Sequence, residues 1–239
     1  MSDLGGFRGW PLWRQGIALI RRPYRRAHRQ FRGLPPKPIR TVMDIGAHKG
    51  EFTDLALDYF QPAKVWMVEA IPDLAANLSS RYSNRPQCAV IHAAITAQSG
   101  DVTFRVNSHL ASSSLLPVAP AAAECVGKKF EEERRITVPG LSLDDLFTER
   151  RIDSMDLMKV DIQGAERFLI QGGQQALRRV SILSMEVLFE RLYEGCALFG
   201  ELHAALIPLG FHLFGFHGWR RGPGGFLLYA DAIFTRRSP

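Results

Sequence analysis

Cysteine is scarce in this chain: Cys88, Cys125 and Cys196 are its three. An odd, scattered set makes no disulfide framework and has no metal-ligand spacing, which sets aside the small stapled folds and favours a cytoplasmic compartment. No apolar run reaches the roughly 18 residues a membrane-spanning helix needs. The first residues hold no small-residue cleavage site behind a long apolar core, so a secretory signal is not expected. Internal repeats are missing, which excludes solenoids and propellers. Acids are almost missing from the first 40 positions, where ten Lys and Arg face Asp3 alone. That stretch carries +9 of a whole-chain charge of +6, which leaves −3 for residues 41–239.

With 239 residues and 46% hydrophobic content, the chain is large enough for one full α/β core. Two parts are expected: a basic arm with a Pro-rich linker over residues 1–38, and one domain over 39–239. In the arm Trp13, Ile17, Ile20 and Tyr24 fall at helical spacing with Arg between them, and Pro23 interrupts the segment. Such a helix either packs on the domain or lies along an anionic membrane or nucleic acid.

The domain is organised around Ile39 to Glu51. Its β-branched and apolar first half predicts a buried strand, and Phe52, Leu55, Ala56 and Tyr59 predict a helix after it. Between them Asp44, Gly46 and Gly50 make a D-x-G-x-x-x-G turn whose unpaired backbone N–H groups suit a small polar ligand. The dinucleotide fingerprint needs glycine two places after Gly46, and His48 stands there instead. A second strand, Lys64 to Glu69, also ends in an acid, placed to take both hydroxyls of a ribose. S-adenosylmethionine enzymes of the doubly wound class share this arrangement. Their donor is therefore the expected cofactor, held by Asp44, Gly46, Ala47, Gly50, Glu51, Glu69 and Ala70.

Further on, Pro72–Tyr82 reads as a helix and Gln87–Ile95 as a third strand, with Ala94 beside the adenine. Val102–Val106 and Arg135–Val138 alternate like strands. From His109 to Gly127 the pattern dissolves into a long loop around Ser112-Ser113-Ser114, expected to reach over the substrate side. Met155–Ile162 and Val180–Val187 read as the fourth and fifth main strands, with a helix over 165–177 between them. A helix near 198–209 and a Gly/Pro-turned hairpin, Phe211–Phe216 with Leu227–Phe234, close the chain.

These residues together resemble the FkbM-type methyltransferases from about Thr41 to Arg236. The resemblance rests on the Asp44–Glu51 loop, Glu69, the Ser112–Ser114 loop and Leu143-Asp144-Asp145. It rests further on Met158–Glu166, Glu186, Leu192–Gly195, Gly210-Phe211 and Asp231–Phe234. Lys159-Val160-Asp161-Ile162-Gln163-Gly164-Ala165-Glu166 is its most specific string. It implies a Rossmann-like, doubly wound α/β fold of the class I methyltransferases, with a seven-stranded, mostly parallel sheet ending in an antiparallel hairpin. It also implies O-methylation of a sugar, glycoconjugate or natural-product hydroxyl. The basic arm lies outside it.

Methyl transfer to a hydroxyl needs positioning and a proton acceptor. Asp161, at the end of the fourth main strand, is the first candidate for both catalysis and donor contact. Glu166, His48 and His109 are further catalytic candidates, although Glu166 reads equally as a helix N-terminal charge. Ser113, Ser114, Gln163, Glu186 and Tyr193 fall on the acceptor side. A divalent metal is not favoured; if one binds, Asp161 and Glu186 are the ligands to expect. Two rivals remain: an RNA ribose methyltransferase gripping phosphates with the arm, and a non-catalytic module docked by the arm on a membrane. Base-amine methylation is disfavoured, because Asp161-Ile162-Gln163-Gly164 replaces the Asn/Asp-Pro-Pro-aromatic turn it usually needs in this fold. A small-molecule or saccharide acceptor, peripheral contact with an anionic membrane, and a homo-oligomer are the partners compatible with this reading; nucleic acid is not favoured.

Overall fold

A computed structural model of the chain describes residues 34, 38–127 and 129–236. The arm expected over residues 1–38 lies outside the described residues, apart from Leu34 and Pro38. Ten strands are described: β1 Thr41–Ile45, β2 Lys64–Glu69, β3 Cys88–His92, β4 Ala94–Thr96, β5 Gly100–Asn107, β6 Glu132–Ser142, β7 Met155–Val160, β8 Val180–Leu188, β9 His212–Arg221 and β10 Leu227–Thr235. The helices are α1 Glu51–Phe60, α2 Pro72–Arg81, α3 Ala122–Val126, α4 Leu143–Glu149, α5 Glu166–Gln171 and α6 Phe199–Leu206.

Seven strands form one sheet in the order β3-β2-β1-β7-β8-β10-β9. The first five run parallel, while β10 pairs antiparallel with both β8 and β9. Alternation along the strands feeds two cores. Met43, Ile45, Met158, Val160 and Leu183 face one cluster. Val42, Leu157, Ile182 and Ile233 face the other, under α1 and α2. The strand order reverses between β1 and β7, and a crevice opens at such a point beyond the carboxyl ends.

The expected third strand is broken. Ala93 donates its N–H to Glu69 O at 3.1 Å, and the chain then leaves the main sheet. Ala94–Thr96 joins a separate sheet of order β4-β6-β5. The expected helix over 165–177 stops at Gln171. A β-carbon on Gly172 would sit 2.5 Å from Thr96 O, and one on Gly173 2.7 Å from Leu169 O. Asp144 then receives the freed N–H groups of Gln175 and Ala176 at 3.0 and 2.7 Å.

The stretch expected as a structureless loop is built. Leu110–Ser112 forms a 3₁₀ turn, Ser114 bridges Arg105, Val118 bridges Tyr193, and α3 follows. Small residues let this strap lie close to the domain, which is why its composition reads as a loop.

Candidate active site

A cleft of about 550 Å³ lies at the carboxyl ends of β1, β2 and β7. Gly46, His48, Glu69, Ala70, Ala94, Ser113, Asp161 and Gln163 line it together with Ile71, Ala93, Ile95 and Phe104. The strap closes one side with Leu110, Ala111 and Leu115. Among the residues expected at the site, Asp44, Ala47, Gly50, Glu51, His109, Ser114, Glu166, Glu186 and Tyr193 stand outside this lining. His109 and Glu51 are exposed, and Ala47 is buried in the α1 core.

Glu69 is 6% exposed. Its two oxygens accept the backbone N–H groups of His48 at 2.7 Å and Ile71 at 2.9 Å. Burial raises its pKa, and those N–H groups oppose the rise. The carboxylate is thereby fixed in direction, with lone pairs left for a ligand. His48 reaches this contact with φ at +49°, and Gln163 across the cleft has φ at +56°. Non-glycine residues in that region carry strain, here at two positions that line one cleft. Burial, then Lys49, lowers the His48 pKa, so its ring is neutral near pH 7.

The two loop glycines serve the protein's own packing. A β-carbon on Gly46 would collide with Asp161 O. One on Gly50 would sit 2.6 Å from the Tyr82 hydroxyl, which donates to Asp54 Oδ1 at 2.7 Å and lies 3.1 Å from Gly50 O. Both have φ at +78°.

Asp44 is fully buried beneath the cleft. Thr53 donates to its Oδ2 at 2.8 Å, Oδ1 accepts no hydrogen bond, and Lys159 Nζ stands 3.8 Å from Oδ1. Burial raises the Asp44 pKa and Lys159 counteracts it. Lys159 also donates to Asp161 Oδ2 at 3.2 Å. Burial works against the ammonium, but Asp161 and Asp44 outweigh it and raise its pKa.

Strand register extends this into a polar row on one sheet face. Asp44 pairs with Lys159, Lys159 with Ser184, Glu186 with Asp231, and Asp231 with His217. Gln163 Nε2 donates to Asp161 Oδ1 at 2.6 Å and to Glu186 Oε2 at 3.0 Å, and its Oε1 accepts from the Tyr193 hydroxyl at 2.7 Å. Tyr193 also lies 3.1 Å from Ser112 O, and Ser114 donates to Gln163 O at 2.8 Å. The strap and the β7–α5 turn are thus one hydrogen-bonded unit.

Burial first, then Asp161, raises Glu186 well above the usual carboxylate range. Glu166, pushed up to about 7 chiefly by burial, accepts from the N–H groups of Ile162 and Gly164 at 3.2 and 3.3 Å. It holds the turn in shape and is not part of the cleft lining. Asp231, pushed up to about 6 by burial and then by Asp161, has His217 Nδ1 at 3.4 Å.

Asp231 and His217 were not singled out from the sequence as site residues. The available signal was an acid inside the apolar run Leu227–Phe234, a costly placement for a residue without a task. Among the described residues no group of three His, Cys, Asp or Glu is arranged to hold a metal. The Gln163 amide donates between Asp161 and Glu186, the pair expected for a metal. Amide hydrogens at that point oppose a cation, so the arrangement does not fit one.

A doubly wound sheet, a cleft at its switch point and an acid on the second strand define the class I methyltransferase architecture. The chain belongs to the FkbM methyltransferase domain family, whose model matches residues 44–214. It is 27% identical over 177 residues to the 2-O-methyltransferase NoeI of Sinorhizobium fredii (strain NBRC 101917 / NGR234), covering 71% of this chain and 72% of that one. The crystal structure of methyltransferase FkbM from Methylobacillus flagellatus KT superposes with a TM-score of 0.56 at 15% identity, over 87% of this chain and 47% of that one. EvdMO1 superposes with a TM-score of 0.50 at 12% identity, over 90% of this chain and 41% of that one. The chain thus spans less than half the length of these two solved structures, which share its fold.

Proposed function

We propose that the chain transfers a methyl group from S-adenosylmethionine to a hydroxyl of a sugar, glycoconjugate or natural product. The observation that carries this is Glu69, fixed by two backbone N–H groups at the cleft wall while Asp161 lines the same cleft. Glu69 takes the ribose hydroxyls, and Ala70, Ile71, Ala93, Ala94 and Ile95 offer an apolar slot for the adenine. Asp44 acts indirectly, by holding Lys159 and, through it, Asp161.

When bound, the donor supplies a methyl already activated by the sulfonium charge. The protein contributes orientation, worth up to about 7–11 kcal/mol of barrier in favourable cases. Asp161 orients the acceptor hydroxyl and receives its proton, while Gln163, bonded to Asp161 and Glu186, holds that carboxylate in place. Acids along the polar row repel a phosphate backbone, so an RNA ribose acceptor has less support than a neutral sugar. The NoeI relative, a 2-O-methyltransferase by name, agrees with a hydroxyl acceptor. The arm of residues 1–38 adds a peripheral contact with an anionic membrane to this reading, in the cytoplasm.

The test is a labelled-methyl screen of sugar and glycolipid acceptors, with Asp161→Asn alongside. Label should enter a hydroxyl acceptor, with Asp161→Asn slower by about 10²-fold or more. Label found only on nitrogen, or full turnover by Asp161→Asn, contradicts the reading.

A further inference from the structure

The β9–β10 hairpin carries a surface that the donor cleft does not use. Trp219 is 63% exposed and Phe226 72%, both at the tip end of the hairpin. Large aromatics left in water are uneconomical unless something else covers them. Arg220 and Arg221 are exposed between Trp219 and the turn, and they are the only full charges from residue 202 to 230.

The register shows where this surface points. Leu188, at the carboxyl end of β8, pairs with Tyr229, and Tyr229 pairs with Arg220. Arg221 to Leu227 therefore project past the sheet on the side where Glu69 and Asp161 stand. The tip is braced: a β-carbon on Gly222 would sit 2.5 Å from Cys125 O, so α3 of the strap lies directly against it. The tip and the strap over the cleft form one rim.

We propose that this tip docks on an anionic lipid surface. Tryptophan and phenylalanine beside two arginines, with no acid between Leu202 and Ala230 and the exposed Glu124 on the adjoining α3 as the one acid of that helix, are the composition that seats at a headgroup boundary, the rings among the acyl ends and the guanidinium groups on phosphate. The +9 charge of residues 1–40 gives the chain a second stretch attracted to the same surface. A second copy added edge to edge fits less well. Register shifts at Leu227/Tyr229, Tyr229/Asp231 and Ile233/Phe234 bend the hairpin, and bulged edges resist strand addition. The docking places the cleft mouth at the bilayer, where a hydroxyl on a lipid headgroup is within reach. It is read from lipid binding alone, so its failure and that of methyl transfer are separable.

The experiment is co-sedimentation of the full chain with phosphatidylcholine vesicles, with and without phosphatidylglycerol. The wild type should bind the anionic vesicles, and Trp219→Ser with Phe226→Ser should weaken that binding about tenfold or more. Full-chain Arg21→Gln, Arg22→Gln, Arg25→Gln and Arg26→Gln, made together, should weaken it, and adding Trp219→Ser with Phe226→Ser to that chain should weaken it further. A tip variant that binds like the wild type overturns the proposal. So does a wild type that ignores anionic vesicles, or one that forms a dimer which the tip variant dissolves while lipid binding stays unchanged.

Discussion

Lys159 is placed between two acids on one sheet face, 3.8 Å from Asp44 Oδ1 and 3.2 Å from Asp161 Oδ2. Asp44 is fully buried, so removing the cation strands a charge that water cannot reach. Lys159→Met is expected to destabilise the fold by about 3–5 kcal/mol, the range for breaking a buried pair, as read by denaturant unfolding. An unchanged midpoint would show that Asp44 is held by other means. Asp231 makes stability depend on pH. Its folded pKa of about 6 lies above its ordinary 3.8, so the native state binds more protons between those values. By linkage, stability contributed by Asp231 falls as pH rises from about 4 to 6 and stays lost above it. Asp231→Asn should flatten that fall and gain most at pH 7, measured as the change in melting temperature across the pH series. Asp44 and Glu69 stand out in the sequence because each is an acid closing an apolar strand, Asp44 before a glycine turn and Glu69 before Ala70-Ile71-Pro72. The partners that fix them do not. Thr53 and Lys159 reach Asp44 through tertiary register, and no local pattern announces that.

The strap over the cleft is the element whose order the sequence conceals. Its alanines, serines and prolines carry no periodicity, and what holds it is a set of contacts to distant residues: Ser114 to Gln163, Tyr193 to Ser112 and Gln163, Ala119 N–H to Leu192 O. Tyr193→Phe removes the hydroxyl and leaves Gln163 Oε1 without its donor, while Ser112 O keeps the Asn107 amide at 2.7 Å. Losing a buried hydrogen bond of this kind costs about 1–3 kcal/mol. Amide exchange across 110–116 should therefore speed up while the strands of the main sheet keep their protection. Uniform loosening of the whole domain would contradict the idea of a locally anchored strap. The β1–α1 loop behaves differently. Its glycines are plain in the sequence, yet Gly46 and Gly50 are demanded by Asp161 O and Tyr82 rather than by a ligand. Gly46→Ala, at φ +78° against a backbone oxygen, should lower the melting temperature by roughly 4 °C or more, given a cost of at least about 1–3 kcal/mol.

At the scale of the molecule, the seven strands and the closing hairpin follow from strand and helix patterns that alternate clearly, while their order in the sheet does not. The small second sheet does not, because β4 continues β3 without a break in hydropathy and departs only where Ala93 turns toward Glu69 O. That departure makes the cleft, since it carries Ala93, Ala94 and Ile95 out of the sheet and across its end. No helix among the described residues is long and apolar enough to cross a membrane. Donor binding is the claim on which the rest stands, and calorimetric titration with S-adenosylmethionine tests it most directly. The wild type should bind one equivalent. Glu69→Gln, which gives up charge-assisted hydrogen bonds worth about 1.5–3 kcal/mol, should bind roughly ten to a hundred times more weakly. A wild type that takes up no donor, or a Glu69→Gln variant that binds it equally well, would contradict the account.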